Sequence, residues 1–102
     1  MKLKSIIEGY DYILKGNDNI ENTDILDLTF DSRKCNKGSM FFAIKGYETN
    51  GHKFIDKAIQ NGAFVICHSE DLDDYNPGIT YIKCKNTRDA LAYFSNRFYS
   101  FP

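Results

Sequence analysis

The tripeptide Asp31-Ser32-Arg33 contains the residue types that could bind a phosphate group. It follows a predicted strand, Ile25 to Phe30, and so lies where open α/β sheets commonly bind ligands. The Ser32 hydroxyl and nearby backbone N–H groups can donate to a diphosphate oxygen, and Arg33 adds a fork of charged donors if its side chain faces inward. The alternative is that Asp31 caps the turn and pairs with Arg33, because Asp often only organises turns. The tripeptide alone does not separate these interpretations.

A second polar loop, Gly46 to Gly51, follows the next apolar strand. Tyr47 offers a flat ring for a nucleotide base, and Glu48 and Thr49 could hydrogen-bond to the ribose or to uracil edges. If the two strands are neighbours, both loops emerge at one edge of the sheet and form a pocket. The alternative is a polar connection whose glycines serve only its turns. Six basic residues in this half of the chain would attract a diphosphate; they are Arg33, Lys34, Lys37, Lys45, Lys53 and Lys57.

The histidines and the acidic cluster form no recognisable catalytic or metal-binding motif. His52 precedes a predicted helix and His68 ends a predicted strand, so we expect a structural role for both. The acidic loop from Ser69 to Gly78 lacks the calcium-loop pattern and is expected to be solvated. We therefore predict no catalytic residue and no metal site in these residues.

Three cysteines, an odd number without CxxC spacing, indicate free thiols rather than disulfides or a zinc site. Cys67 and Cys84 occur in strand-like apolar runs and should pack as small hydrophobes. Cys35 lies in a polar turn, so we expect it to be exposed.

The composition is that of one ordinary domain. The 102 residues are 42% hydrophobic, which is enough for a single compact core. A formal net charge of -1 argues against a nucleic-acid coat. There is no run of 18 apolar residues and no signal-peptide pattern, so we expect a cytoplasmic protein with no membrane partner.

Apolar periodicity predicts an α/β domain with a mixed sheet and flanking helices. In the first sheet strand, Leu26, Leu28 and Phe30 are predicted to share one face. The run from Ser39 to Lys45 is typical of a strand buried on both faces. With the helix and strand that follow, it predicts a βαβ unit. The inward stripe of that helix is predicted to be Phe54, Ile55, Ala58 and Ile59.

Shorter signals flank this unit. A short opening helix should end at Gly9, and a weak strand pattern follows it. Ile79 to Cys84 is predicted to be a strand. Asn86 is a plausible N-cap of a last helix, whose inward stripe would be Leu91, Phe94 and Phe98.

The segment from Asp31 to Ala63 reads DSRKCNKGSMFFAIKGYETNGHKFIDKAIQNGA. With it, the chain from about Tyr12 to Pro102 resembles the N-terminal domain of the Mur ligases. The DSR, GY and FYxxP elements are more similar to the tripeptide synthetases (MurE type), which add the third amino acid of a peptidoglycan precursor. A MurF-type N-terminal domain and a stand-alone nucleotide-binding module are the alternatives.

The resemblance implies that residues 1–102 form a single domain that binds the UDP part of UDP-N-acetylmuramoyl-dipeptide. In the family, ATP and Mg are used by a central domain, and a C-terminal domain takes the incoming amino acid. This chain has no GxxxxGK[ST] loop, so ATP, Mg and catalysis are expected in other domains of a parent protein. The fragment alone is then expected to be inactive.

Five positions carry over by motif: Phe30, Ser32, Tyr47, Glu48 and Thr49 as UDP-binding residues, with Asp31 and Arg33 as supporting candidates. The sequence does not indicate whether the parent adds lysine or diaminopimelate.

Overall fold

The structure, a computed structural model, describes residues 1–100. Phe101 and Pro102, which complete the FYxxP motif, lie outside the described residues. In chain order the elements are α1 (Leu3–Ile7), β1 (Ile13–Gly16), β2 (Asp27–Thr29), β3 (Ser39–Phe42), α2 (Ile55–Gln60), β4 (Val65–His68), β5 (Thr80–Lys83) and α3 (Thr87–Ser100). Two 3-10 turns, Ser32–Lys34 and Gly51–Phe54, follow β2 and precede α2.

The five strands form one mixed sheet in the order β1-β5-β4-β3-β2. Strands β2 to β5 pair in parallel, and β1 pairs antiparallel with β5. Strands β3 and β4 are parallel neighbours joined through α2, so the predicted βαβ unit is confirmed. The mixed α/β architecture is confirmed as well.

Side chains on β3 alternate between two apolar cores, one on each face of the sheet. Met40 and Phe42 pack in the core that includes residues of α1 and α3. Phe41 packs in the core on the other face, where α2 contributes Ile55 and Ala58. All of these side chains are buried. The run predicted to be buried on both faces therefore lies at the centre of a three-layer domain.

Helix α2 ends in a Schellman motif at Gly62, which has a φ of 118°. The Gly62 N–H donates to the Ile59 carbonyl at 3.0 Å, and the Ala63 N–H donates to the Ala58 carbonyl at 3.0 Å. A Cβ on Gly62 would meet the Asn36 carbonyl carbon at 2.7 Å. Glycine is therefore required both by the backbone conformation and by the space.

The strand face predicted for Leu26, Leu28 and Phe30 was wrong, because β2 contains only Leu28 of the three. Leu26 is 71% exposed and Phe30 is 65% exposed, Leu28 is half-buried, and Ile25 is the residue that is buried. The ladder with β3 covers only Asp27–Thr29. Leu26 and Phe30 flank this short edge strand, so its alternation does not determine where their side chains lie.

The exposure predicted for Cys35 was also wrong. Cys35 is 5% exposed and packs in the core on the α2 side, and burial raises the pKa of its thiol to about 11. Its polar neighbours face solvent while the turn directs the thiol inward. Cys67 and Cys84 are buried as predicted, with their Sγ atoms 3.7 Å apart.

Helix α3 begins as predicted, because the Asp89 N–H donates to the Asn86 Oδ1 at 3.0 Å. Phe94 is fully buried, and Leu91 and Phe98 are half-buried against the same core. Over residues 1–100, no helix combines the length and the apolar character needed to cross a membrane.

Candidate functional site

The two polar loops meet at the carboxyl edge of the sheet. Strands β2 and β3 are parallel neighbours, so the loops that follow them leave the sheet at the same edge. Two open cavities lie there, and Phe30 and Phe54 line both. The predicted convergence of the loops is therefore present in the fold.

The first cavity, here the apolar compartment, has a volume of about 430 Å³. Arg88 is the one charged side chain among its described lining residues, and no carboxylate lines it. The lining residues are Phe30, Ile44, Gly46, Thr49, Gly51, Phe54, Arg88, Leu91 and Ala92. Aromatic rings and aliphatic side chains around a few polar groups are what a flat organic ring requires.

The second cavity, here the polar compartment, has a volume of about 710 Å³. Its lining residues are Phe30, Asp31, Ser32, Arg33, Phe54 and Lys57. Here the charged and hydroxyl groups of the first loop face a lysine of α2. This compartment offers donors and positive charge, which are the groups that a phosphate needs.

Asp31 organises the first loop and binds Arg33. Its Oδ1 accepts from the Arg33 backbone N–H at 3.0 Å, which caps the 3-10 turn. The guanidinium donates from Nε to Oδ1 at 3.0 Å and from Nη2 to Oδ2 at 2.9 Å. These hydrogen bonds lower the pKa of Asp31 to about 2. The structure thus shows the interaction of the capping alternative, in which Asp31 binds the Nε and Nη2 edge of the Arg33 guanidinium.

Ser32 is buried in the wall of the polar compartment, with 8% of its surface exposed. Its carbonyl accepts from Asn61 Nδ2 at 2.9 Å, which ties the turn to the end of α2. Within residues 1–100 its hydroxyl has no hydrogen-bond partner. The Ser32 hydroxyl is therefore positioned by the fold and available to donate to a ligand.

The second loop is a narrow backbone hairpin. The Gly46 N–H donates to the Thr49 carbonyl at 2.7 Å, and the Gly51 N–H donates to the Ile44 carbonyl at 2.8 Å. A Cβ on Gly51 would lie 2.7 Å from the Ile44 nitrogen, so only glycine allows this approach. The hairpin presents the backbone of Gly46 and Gly51, together with Thr49, to the apolar compartment.

The other predicted residues of this loop point elsewhere. The side chain of Tyr47 is fully exposed, and Glu48 is exposed. Neither lines either compartment. Of the three residues predicted in this loop, the structure brings only Thr49 together with Phe30 and Ser32.

His52 holds the second loop against the end of β4. Its Nε2 accepts from the backbone N–H groups of Ser69 at 3.0 Å and Glu70 at 3.2 Å. Because Nε2 accepts, the proton lies on Nδ1, which donates to Asn50 Oδ1 at 2.7 Å. Burial lowers the pKa of the imidazole and favours this neutral form. The structural role predicted for His52 is thus confirmed.

Sequence patterns missed the residues that two helices bring to the site. Phe54 was predicted on the buried stripe of α2, but it lies in the preceding 3-10 turn and is 38% exposed. Its ring lines both compartments. The other missed lining residues are Lys57, Arg88, Leu91 and Ala92. Lys57 was among the six basic residues expected to attract a diphosphate. Leu91 was predicted on the inward stripe of the last helix, which is a core position rather than a binding position.

Comparison with known proteins identifies the family. A family model described as "Mur ligase family, catalytic domain" matches residues 24–99, well over half of the chain. The chain belongs to the Mur ligase family. The resemblance stated from the sequence is therefore confirmed.

The curated relatives of this Mur ligase chain include tripeptide-forming enzymes. A UDP-N-acetylmuramoyl-L-alanyl-D-glutamate--2,6-diaminopimelate ligase of Clostridium tetani is 45% identical over 105 aligned residues, covering 100% of this chain and 21% of the relative. A UDP-N-acetylmuramyl-tripeptide synthetase of Borreliella afzelii is 44% identical, covering 78% of this chain and 16% of the relative. The chain thus spans about a fifth of the length of the curated relatives it matches.

Solved structures of the family share the fold. A crystal structure of MurF from Acinetobacter baumannii superposes with a TM-score of 0.69 at 25% identity, covering 94% of this chain and 20% of that one. MurF from Thermotoga maritima, in complex with ADP, gives a TM-score of 0.59 at 27% identity, covering 72% of this chain and 16% of that one.

Proposed function

We propose that this chain is the part of a MurE-type ligase that binds the UDP end of UDP-N-acetylmuramoyl-L-alanyl-D-glutamate. The observation that carries the proposal is the Ser32 hydroxyl, which has no hydrogen-bond partner in the described part of the chain. It lies in a polar compartment that shares two aromatic residues with an apolar one. The parent protein would use ATP to form an amide bond with the third amino acid. The names of the curated relatives favour diaminopimelate as that amino acid.

The apolar compartment suits the uracil ring. Phe30 and Phe54 provide aromatic surface, and Leu91 adds an aliphatic wall. The Thr49 hydroxyl and the backbone of Gly46 supply polar groups at the rim, where they can meet the base edges or the ribose. Tyr47 and Glu48, predicted for this purpose, could take part only if the hairpin moved toward the ligand.

The polar compartment suits the diphosphate. The Ser32 hydroxyl can donate to a phosphate oxygen, and Lys57 lines the same compartment. Because both compartments share Phe30 and Phe54, one nucleotide can place its base in one and its phosphates in the other. This division assigns each half of UDP to the compartment of matching chemistry.

The residues present do not fit an ATP phosphate loop, because no GxxxxGK[ST] sequence occurs in the chain. On this proposal the chain binds and orients one end of the substrate, while ATP and Mg would bind to residues elsewhere in the parent. The part played by these residues is binding rather than proton or phosphoryl transfer.

An NMR titration of the ¹⁵N-labelled chain tests the proposal. UDP should shift the amides of Phe30 to Arg33 and of Ile44 to Gly51, because ring currents and phosphate charge act over short distances. ADP is the matched control, since it carries the same diphosphate on a larger base. We expect ADP to bind more weakly than UDP.

Two results would overturn the proposal. One is a set of UDP shifts centred on residues 69–76, which would place the binding site at the acidic loop. The other is equal binding of UDP and ADP, which would indicate a phosphate site with no preference for uridine.

A further inference from the structure

Among residues 1–100, one positive charge of the polar compartment has no ion-pair partner. Its ionisable lining residues are Asp31, Arg33 and Lys57. The guanidinium of Arg33 is bound to both carboxylate oxygens of Asp31, at 3.0 and 2.9 Å. That pair is neutral as a unit. Lys57 makes no ion pair with any residue in the described part of the chain.

The backbone of Lys57 is linked to the Ser32 turn. The Lys57 carbonyl accepts from the Asn61 N–H at 3.0 Å, and the Asn61 side chain donates to the Ser32 carbonyl at 2.9 Å. The next residue, Ala58, is fully buried and fixes the rotation of α2. These contacts fix the position of the Lys57 backbone, from which its side chain extends, relative to the Ser32 turn.

We propose that Lys57, and not Arg33, is the cation that contacts the diphosphate; this inference rests on the proposed function. Asp31 already compensates the charge of Arg33 and occupies the Nε and Nη2 edge of its guanidinium, so binding a phosphate with that edge would cost two charge-assisted hydrogen bonds. Lys57 has no ion pair to give up among residues 1–100. Its ammonium acts as a compact point charge with three donors, which suits a phosphate approached from one side.

The test compares uridine, UMP and UDP binding to the 102-residue chain and its variants by NMR titration. In Lys57→Met, UDP should bind about three- to tenfold more weakly, the effect of losing one exposed charged contact. Uridine should bind as before, because it carries no phosphate. Lys57→Arg should restore most of the UDP affinity, and Lys57→Gln should behave like the methionine variant.

Lys34→Met is the matched control, because it removes the same charge from an exposed residue beside the site that lines neither compartment. It should lower the ratio of UDP to uridine affinity clearly less than Lys57→Met does. Raising the salt concentration should reduce the wild-type ratio, and should reduce it much less in Lys57→Met.

The outcomes separate this inference from the proposed function. If Lys57→Met keeps the wild-type ratio, or if Lys34→Met lowers it equally, the inference is wrong while the nucleotide site stands. If the wild-type chain shows no preference for UDP over uridine and no shifts in either loop, the proposed function itself fails. A lowered ratio in Lys57→Met alone supports both.

Discussion

Replacing His52 by alanine should loosen the second loop and destabilise the domain. The imidazole is the acceptor for two backbone N–H groups after β4 and the donor to Asn50. Its side chain is 6% exposed, so water cannot easily replace these contacts. The same ring also fixes the position of the hairpin that rims the apolar compartment.

The magnitude follows from the hydrogen bonds that are lost. His52→Ala removes three, each worth about 0.5 to 1.5 kcal/mol net, and leaves the N–H groups of Ser69 and Glu70 without their partner, while Asn50 Oδ1 keeps the backbone N–H of residue 52. We expect the free energy of unfolding to fall by about 2 to 4 kcal/mol. His52→Gln is the matched variant, because its amide oxygen can replace Nε2 as acceptor, and it should lose less.

The pH dependence gives an independent check. Burial lowers the pKa of both His52 and His68 in the folded protein. The unfolded chain, with a histidine pKa of about 6.5, therefore binds protons first as the pH falls. The stability due to neutral imidazole is fully present above pH 6.5 or so and is lost as the pH falls through the folded pKa. His52→Ala should reduce this slope, leaving the part due to His68.

Urea unfolding followed by circular dichroism at pH 7.5 and pH 5 measures both effects. A loss below about 0.5 kcal/mol at pH 7.5 in His52→Ala would refute the assigned hydrogen bonds. A slope against pH identical to that of the wild type would refute the buried neutral imidazole. A smaller loss of stability in His52→Gln than in His52→Ala would show that the hydrogen-bond acceptor, and not only the lost side-chain volume, stabilises the domain.

Four further substitutions test three separate parts of the structure. Gly62→Ala should cost about 2 kcal/mol of stability, measured by urea unfolding, because alanine would need a positive φ; an unchanged midpoint would contradict the Schellman motif. Ile25→Ala should cost about 2 to 4 kcal/mol while Leu26→Ala stays within about 0.5 kcal/mol, and the reverse order in thermal unfolding would contradict the observed burial. Ser32→Ala should weaken UDP binding by about 1 to 2 kcal/mol at an unchanged melting temperature; equal affinities in a calorimetric titration would argue against its donor role.

The centre of the fold was predictable because its signals are local and strong. The near-continuous apolar run at β3 indicates a strand that is buried on both faces, and Asn61-Gly62 marks the end of the helix that follows. The edge strand β2 was harder, because a ladder of three residues constrains too few side chains to determine a face. Ile25 and Leu26 are adjacent and similarly apolar, so the sequence alone does not determine which of them packs into the core with α1.

The loops of the candidate site were predictable from their place at strand ends, while its walls were not. Phe54, Lys57 and Arg88 reach the site through the packing of α2 and α3 against the sheet. The spacing of these residues from Ser32 along the sequence does not predict that arrangement. The pairing of Arg33 was left open for a related reason, because a DSR tripeptide permits both an inward and a paired arginine.

In these loops the same polar groups can serve the fold or a ligand, so the hydrogen bonds of the fold limit how many groups of a binding motif remain for a ligand. Asp31 caps its turn, and in that position its carboxylate also binds the guanidinium of Arg33. Asn50 and His52 are likewise committed to holding the hairpin. A ligand binds most readily to groups that folding leaves unpaired. Among the described residues of the polar compartment, the Ser32 hydroxyl has no hydrogen-bond partner and Lys57 has no ion-pair partner, so one contact comes from inside the motif and the other from outside it.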